Sequence, residues 1–126
     1  MRTLLTSLAL LTVLPAAALA GPAPRSISVK ELEQRRIAGT PRITPDAATQ
    51  AKLVADGKAR IHGSWKVCLD TSGAVTAATA LQSTGYAAYD ARIETEIETS
   101  WRYQPYIVEG NAVAVCSDIT FVYATK

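Results

Sequence analysis

The chain has 126 residues, which is enough for one domain, and its 13 basic and 11 acidic side chains leave a net charge of +2. Without Arg2, in the N-terminal segment, the 12 remaining basic residues face 11 acidic ones and the balance falls to +1. Such a balance gives no electrostatic field that would attract nucleic acid or an anionic membrane. Both are therefore excluded as expected partners.

The first twenty residues have the composition of a secretory signal peptide. Arg2 precedes an apolar run over 4–14, and small residues stand three and one positions before the bond between Ala20 and Gly21. We therefore predict cleavage at Ala20–Gly21 and a periplasmic or secreted mature chain without stable membrane insertion. The alternative is an uncleaved membrane anchor, but this apolar run is much shorter than the roughly 20 residues that span a bilayer. Pro22 stands where a lipoprotein would carry its lipid-modified cysteine, so we expect no lipid anchor.

Residues 21–42 are predicted to form an N-terminal arm. Its first residues are rich in glycine and proline, a composition typical of linkers. Ser28 and Glu31 have the spacing of a capping box, and Gly39 can end the short helix that they begin. The domain proper is predicted to cover 43–126.

Two longer helices follow from spacing and end signals. The first is predicted over 45–56, with Thr44 as its N-cap and Pro45 at its first position. The second is predicted over 86–101, where apolar residues recur every four positions and mark one buried face. These residues are Tyr89, Ile93, Ile97 and Trp101.

Three strands complete the predicted domain. From Gly63 apolar and polar residues alternate, which indicates a strand with one buried face, and the chain turns at 71–73 into a second strand over 74–82. A turn at 109–111 leads into a third strand over 112–124. We predict an α+β fold in the order α-β-β-α-β, with a small three-stranded antiparallel sheet ordered second, first, last and helices on one face.

The two cysteines test this arrangement. If Cys68 lies opposite Cys116 in an antiparallel pair, Lys66 lies opposite Asp118 and the apolar residues of both strands stay on one face. A secreted chain with two cysteines is expected to form a disulfide, and such a pair lies within bonding range. The alternative is two buried free thiols.

No pattern for catalysis or cofactor binding is present in the sequence. His62 is the only histidine and has no nucleophile motif near it, and the chain contains neither a phosphate-binding loop nor a dinucleotide fingerprint. Two cysteines and one histidine do not complete a zinc site. We expect a binding or structural protein with no enzymatic activity, no cofactor and no metal.

A set of short motifs resembles the TonB C-terminal domain family over residues 43–124. The family pattern has a hairpin turn with glycine, a Ser-x-Gly followed by aspartate, a Trp-Arg-aromatic-x-Pro run, a second glycine turn and a last strand with a phenylalanine near its end. Thr44-Pro45 departs from it, because the family usually has Tyr-Pro there. The matching residues are Gly73, Ser83, Gly85, Asp90, Trp101, Arg102, Tyr103, Pro105 and Gly110, with Phe121 in the last strand.

The resemblance implies a function in binding an extended peptide. Family members lie in the periplasm and add a segment of an outer-membrane transporter as a strand beside their last strand, which serves transmembrane transport. The partner implied here is such a segment, or one from another envelope protein, bound at the open edge of the last strand. The edge residues are Cys116, Ser117, Asp118, Ile119, Thr120, Phe121, Val122, Tyr123 and Ala124.

One departure limits what the resemblance implies. Energy-transducing members have a membrane helix and a long proline-rich spacer, and we expect neither here. We therefore predict a TonB-like adaptor or competitor for transporter peptides and not a complete transducer. The alternative is a disulfide-stabilised structural or interaction domain of the envelope, without a transport role, in which the arm 21–42 covers the strand edge.

Overall fold

A computed structural model describes residues 12, 13 and 22–125 of the chain. The predicted cleavage site at Ala20 and Gly21, and most of the predicted signal peptide, lie outside these residues. The elements in chain order are β1 (Arg25–Ser26), α1 (Val29–Glu33), β2 (Arg36–Ala38), α2 (Ala47–Ala55), β3 (Arg60–Leu69), β4 (Val75–Gln82), α3 (Ala87–Ser100), β5 (Arg102–Tyr103), β6 (Tyr106–Val108), β7 (Asn111–Val113) and β8 (Val115–Ala124).

The α+β class is confirmed, but the three-stranded sheet is not. The main sheet has four strands in the order β1-β8-β3-β4, because the arm adds β1 beside β8. This extra strand is parallel to β8 and pairs only at Arg25 with Val115 and at Ser26 with Cys116. Two residues are too few to show a period of two, so this strand has no signature in the sequence.

The predicted register between β3 and β8 is confirmed over its whole length. Lys66 lies opposite Asp118, and Cys68 lies opposite Cys116. The two cysteines form the predicted disulfide across 48 positions, with an S–S distance of 2.06 Å and a Cα–Cα distance of 4.0 Å. Such a bond is typical of a periplasmic or extracellular compartment.

One hydrophobic core lies between the sheet and the helices. The odd-numbered residues of β3 and β8 face this core and the even-numbered ones face away from it. The predicted helical stripe is buried against them, and Trp65 and Trp101 are both fully buried. Apolar and polar residues alternate along both strands, and this alternation determines which face of the sheet the helices cover.

Two helices begin or end at residues other than those predicted. The capping box of Ser28 and Glu31 is present, but α1 ends at Glu33 because the following residues form β2, which pairs with β5. The N-cap of α2 is Asp46 and not Thr44, since the Asp46 carboxylate accepts a hydrogen bond of 2.8 Å from the amide of Thr49. Aspartate is among the residues preferred at the N-cap, because its carboxylate accepts a hydrogen bond from an amide that has no partner within the helix.

The predicted last strand is divided at Ala114. Its first part is β7, which pairs with β6 in a separate hairpin that turns at Glu109 and Gly110. Both turn residues have positive φ, 51° and 81°, the conformation that two-residue hairpin turns need. Gly110 of the family motif therefore serves this turn.

The β3–β4 turn is held by a single carboxylate. Asp70 accepts hydrogen bonds from the Ser72 hydroxyl at 2.5 Å, from the Ser72 amide at 2.8 Å and from the Ala74 amide at 3.1 Å. The bonds from Ser72, first from its side chain and then from its backbone, lower the pKa of Asp70 below its ordinary range. The hydrogen bonds of the turn therefore favour the ionised form of Asp70.

Candidate functional site

The edge of β8 that faces away from β3 is covered only at its beginning. The amide of Arg25 donates to the carbonyl of Ala114, and the amide of Ile27 donates to the carbonyl of Cys116, both at 2.9 Å. After Ile27 the arm turns into α1 and leaves the strand. Beyond Cys116, β8 has no strand partner on this side among residues 22–125. We call this side of residues 117–124 the open edge.

The pairing with β3 determines which backbone groups point outward. The Cα–Cα distance of 4.0 Å between Cys68 and Cys116 marks a pair that does not exchange hydrogen bonds within the ladder, and such pairs alternate with bonded ones. Thr125, an odd-numbered residue, bonds inward, from its amide to the carbonyl of Ala59 at 2.9 Å. The amides and carbonyls that point outward therefore belong to Asp118, Thr120, Val122 and Ala124.

A groove of about 960 Å³ runs along the open edge. Ile119, Phe121 and Tyr123 line it from β8, while α1, residues 41–44 and α2 line its other side. We call it the edge groove. Val29 and Val54 line it and are 44% and 67% exposed, so they contribute apolar surface that is open to solvent. The edge groove thus places unpaired backbone groups beside uncovered apolar surface.

Two buried aromatic residues of the predicted helical stripe fix the far wall of the edge groove. The Trp101 indole N–H donates to the carbonyl of Thr40 at 3.0 Å, and the Tyr89 hydroxyl donates to the carbonyl of Ile43 at 2.7 Å. Burial raises the pKa of Tyr89, which keeps its hydroxyl a neutral donor. The segment between Thr40 and Ile43 has no regular structure, so these two bonds hold it in place.

Arg36 was missed by sequence reasoning. Its guanidinium carbon lies 4.2 Å from the centre of the Trp101 ring and 5.9 Å from that of Tyr103, and it forms an ion pair with Glu33. Burial raises the pKa of Tyr103. No sequence pattern predicts this stack, since Arg36 and Trp101 are far apart in the chain and meet only in the fold.

Several family-motif residues lie away from the open edge and have structural contacts. The Asp90 carboxylate accepts hydrogen bonds from the hydroxyl of Ser83, and from the amide and hydroxyl of Thr84 at 3.0 and 2.5 Å. The amide of Gly85 donates to the Ser83 hydroxyl at 2.9 Å, and Gly85 has φ of 89°. Asp90 lies in the first turn of α3, and its hydrogen bonds hold the turn that precedes this helix.

A second group of motif residues meets at the β3–β4 turn. The amide of Tyr103 donates to the carbonyl of Gly73 at 3.2 Å, and Ala74 forms an isolated bridge with Arg102. A Cβ atom on Gly73 would lie 2.1 Å from the Tyr103 carbonyl oxygen, so only glycine fits. Pro105 then separates β5 from β6. The glycine turn and the Trp-Arg-Tyr-x-Pro run therefore form one contact.

The described residues hold no group of three His, Cys, Asp or Glu side chains placed to bind a metal ion. Within the same part of the chain, no helix combines the length and apolar character needed to cross a membrane. Comparison of the sequence with protein-family models and with characterised proteins gave no match. The resemblance to the TonB C-terminal domain family therefore rests on the residues of this chain.

Proposed function

We propose that this protein binds an extended peptide segment by adding it as a strand beside β8, in the manner of the TonB C-terminal domain family that it resembles. The partner is a segment of an outer-membrane transporter or of another envelope protein. The protein acts in the periplasm or outside the cell, without enzymatic activity and without a cofactor. Its role is that of an adaptor or competitor for such segments.

The observation that carries this proposal is the open edge within an apolar groove. Asp118, Thr120, Val122 and Ala124 each offer one amide and one carbonyl, and at about 3.3 Å per residue they extend over about 20 Å. A guest strand would pair with these groups while every second side chain entered the edge groove. Main-chain pairing would supply affinity, and the groove would select among side chains.

The open edge is also suited to a guest because it is rigid on its other side. Ten residue pairs join β3 to β8, and the disulfide links the two strands covalently. A partner strand would therefore meet groups that are already aligned, so little conformational entropy would be lost from the protein on binding.

Proline substitution on β8 tests the proposal. The amide of Val122 points outward, so Val122→Pro removes a donor to the guest and leaves the β3–β8 hydrogen bonds in place. Ala78→Pro is a matched control, because β4 forms the opposite edge of the sheet and the pairing of Ala78 with Val67 turns its amide away from β3. Proline at Ile119 is unsuitable, since that amide belongs to the ladder with β3.

We expect a synthetic transporter segment to shift the backbone amide signals of residues 117–124 of the wild type. Val122→Pro should weaken binding by about tenfold or more, because it leaves one guest carbonyl without a donor, while Ala78→Pro should bind like the wild type. Signals that move elsewhere, or equal affinities for the two proline variants, would rule out strand addition at β8. Circular dichroism of both variants checks that each remains folded.

The alternative is a disulfide-stabilised structural or interaction domain of the envelope. The observation that favours it is β1, by which the arm already occupies the beginning of the β8 edge. If the arm exists to protect this edge, a variant lacking residues 22–27 should self-associate through β8. Sedimentation that shows only monomer would argue against this role.

A further inference from the structure

The first four residues of β3 extend beyond the end of β4. Pairing with β4 begins only at Ser64, which lies opposite Gln82, whereas pairing with β8 begins at Arg60. After Gln82 the chain turns away into α3. Residues 60–63 therefore have a strand partner on one side only among the described residues. A depression of about 700 Å³ lies on their free side, and we call it the β3 recess.

Two backbone amides and two carbonyls of β3 point into the β3 recess. Cys68 and Cys116 form a pair that exchanges no hydrogen bonds within the β3–β8 ladder, so the even-numbered residues of β3 turn their backbone groups away from β8. Opposite β4 these groups are paired, but those of Arg60 and His62 lie beyond its end. None of these four groups has a backbone partner among residues 22–125. The β3 recess therefore offers both donors and acceptors.

Three basic side chains surround these backbone groups. Lys52 comes from α2, Lys58 from the loop after it and Arg60 from the start of β3. The one ion pair in the part of the chain that the structure describes joins Arg36 to Glu33. None of the three cations therefore has a carboxylate oxygen of that part within 4 Å.

The acidic side chains near the β3 recess already accept hydrogen bonds. Asp56 is the one carboxylate of the described residues that lines it, and it accepts a hydrogen bond of 2.8 Å from the hydroxyl of Tyr86. Asp90 does not line the recess, and its carboxylate accepts hydrogen bonds from Ser83 and Thr84. Three cations and one carboxylate line the recess, which leaves an excess of two positive charges.

We propose that the β3 recess binds a phosphorylated sugar. A phosphate monoester carries nearly two negative charges at pH 7 and so matches the excess of positive charge. Sugar hydroxyls both donate and accept hydrogen bonds, as the unpaired amides and carbonyls of Arg60 and His62 require. Polar side chains of His62, Gln82 and Ser83 complete the lining, with 3.2 Å between the Nε2 atoms of His62 and Gln82. The volume lies within the range of small-molecule sites.

Titration of the oxidised protein with glucose 6-phosphate tests the inference, with backbone amide signals as the readout. We expect the signals of residues 60–62 and 83–87 to shift and those of residues 117–124 to stay in place. Methyl phosphate has the same charge without the hydroxyls, and it should bind about two- to tenfold more weakly, as expected for the loss of one hydrogen bond. Glucose has the hydroxyls without the phosphate and should cause no shift at the same concentration.

Protein variants assign the binding to the β3 recess. Lys58→Gln combined with Arg60→Gln should weaken binding of glucose 6-phosphate by about two- to thirtyfold, because each exposed cation contributes modestly. Lys30→Gln combined with Lys66→Gln removes the same charge from residues that do not line the recess and should bind like the wild type. Absence of shifts in the recess, equal affinity for the two phosphates, or equal affinities of the two double variants would overturn the inference. Each of these results would leave strand addition at β8 unaffected, because the edge groove and the β3 recess share no residue.

Discussion

Adding one methyl group at Gly73 should destabilise the fold strongly. This residue has φ of 86°, and a Cβ atom there would lie 2.1 Å from the carbonyl oxygen of Tyr103, well inside van der Waals contact. The left-handed backbone disfavours an L-residue by roughly 1–2 kcal/mol, and overpacking against a neighbour typically adds about 1–3 kcal/mol. We therefore expect Gly73→Ala to lower the free energy of unfolding by about 2–5 kcal/mol.

Gly57 provides the control for this substitution. It also has positive φ, 68°, but a Cβ atom there would meet nothing within 4 Å. Gly57→Ala should therefore lower the free energy of unfolding only by the backbone contribution, roughly 1–2 kcal/mol. Urea unfolding of both oxidised variants measures the difference, with the slope m as the check on two-state behaviour. If both lose the same amount within about 0.5 kcal/mol, contact with the Tyr103 carbonyl is not what requires glycine at position 73.

Three further predictions concern other parts of the molecule. Replacement of Cys68 and Cys116 together by serine removes a cross-link between residues 48 positions apart. The entropy gained by the unfolded chain should lower the free energy of unfolding by up to about 4 kcal/mol. Urea unfolding measures this loss, and an unchanged midpoint would contradict the prediction. Hydrogen bonds from Ser72 lower the pKa of Asp70 below its ordinary value of 3.8. The ionised Asp70 carboxylate therefore stabilises the fold at pH above 3.8, and this stabilisation is lost as the pH falls through the lower pKa of the folded state. An NMR titration midpoint for Asp70 at or above 3.8 would refute this. Asp90→Ala removes the carboxylate that accepts hydrogen bonds from the turn before α3. It should lower the free energy of unfolding by roughly 1–3 kcal/mol and speed amide hydrogen exchange in that turn. Unchanged exchange would show that the turn is stable without these hydrogen bonds.

The centre of the sheet could be predicted because its strands are long enough to show a period. Alternation over β3 and β8 gave the buried faces, and the two cysteines then fixed the register between them, which the structure confirms. A shift of β8 by one residue would have placed Cys116 on the core face, with the apolar side chains of β8 on the opposite face. The alternation of apolar residues and the pairing of the two cysteines thus predicted the same register between β3 and β8.

The shorter elements could not be predicted, because tertiary contacts and not local patterns create them. The strand β2 exists because β5 pairs with it, and the amide of Gln104 donates to the carbonyl of Arg35 at 2.8 Å. Strand β1 likewise depends on Cys116 as its partner. Elements of two or three residues have no independent stability and take their conformation from their neighbours.

The candidate site shows the same division between local pattern and tertiary contact. Its strand was predicted, since residues 116–124 lie on β8, but the outward carbonyl of Cys116 is occupied by Ile27, so the open edge starts one residue later. The wall of the edge groove was not predicted. It depends on side-chain hydrogen bonds from Tyr89 and Trp101 to carbonyl groups 46 and 61 residues earlier in the chain, and single-sequence patterns do not report such contacts.

The position of β3 in the middle of the sheet has a consequence for how the protein is made. Its partner β8 is distant in the chain, since the bonded cysteines are 48 positions apart, so this pairing closes a long loop and forms slowly. A nascent chain that has completed the β3–β4 hairpin but not β8 exposes β3 as an unpaired strand with Cys68 reduced. During this interval the chain is exposed to aggregation and to mixed disulfides with other proteins. Refolding of the reduced protein should accordingly depend on protein concentration and on the thiol–disulfide balance of the medium.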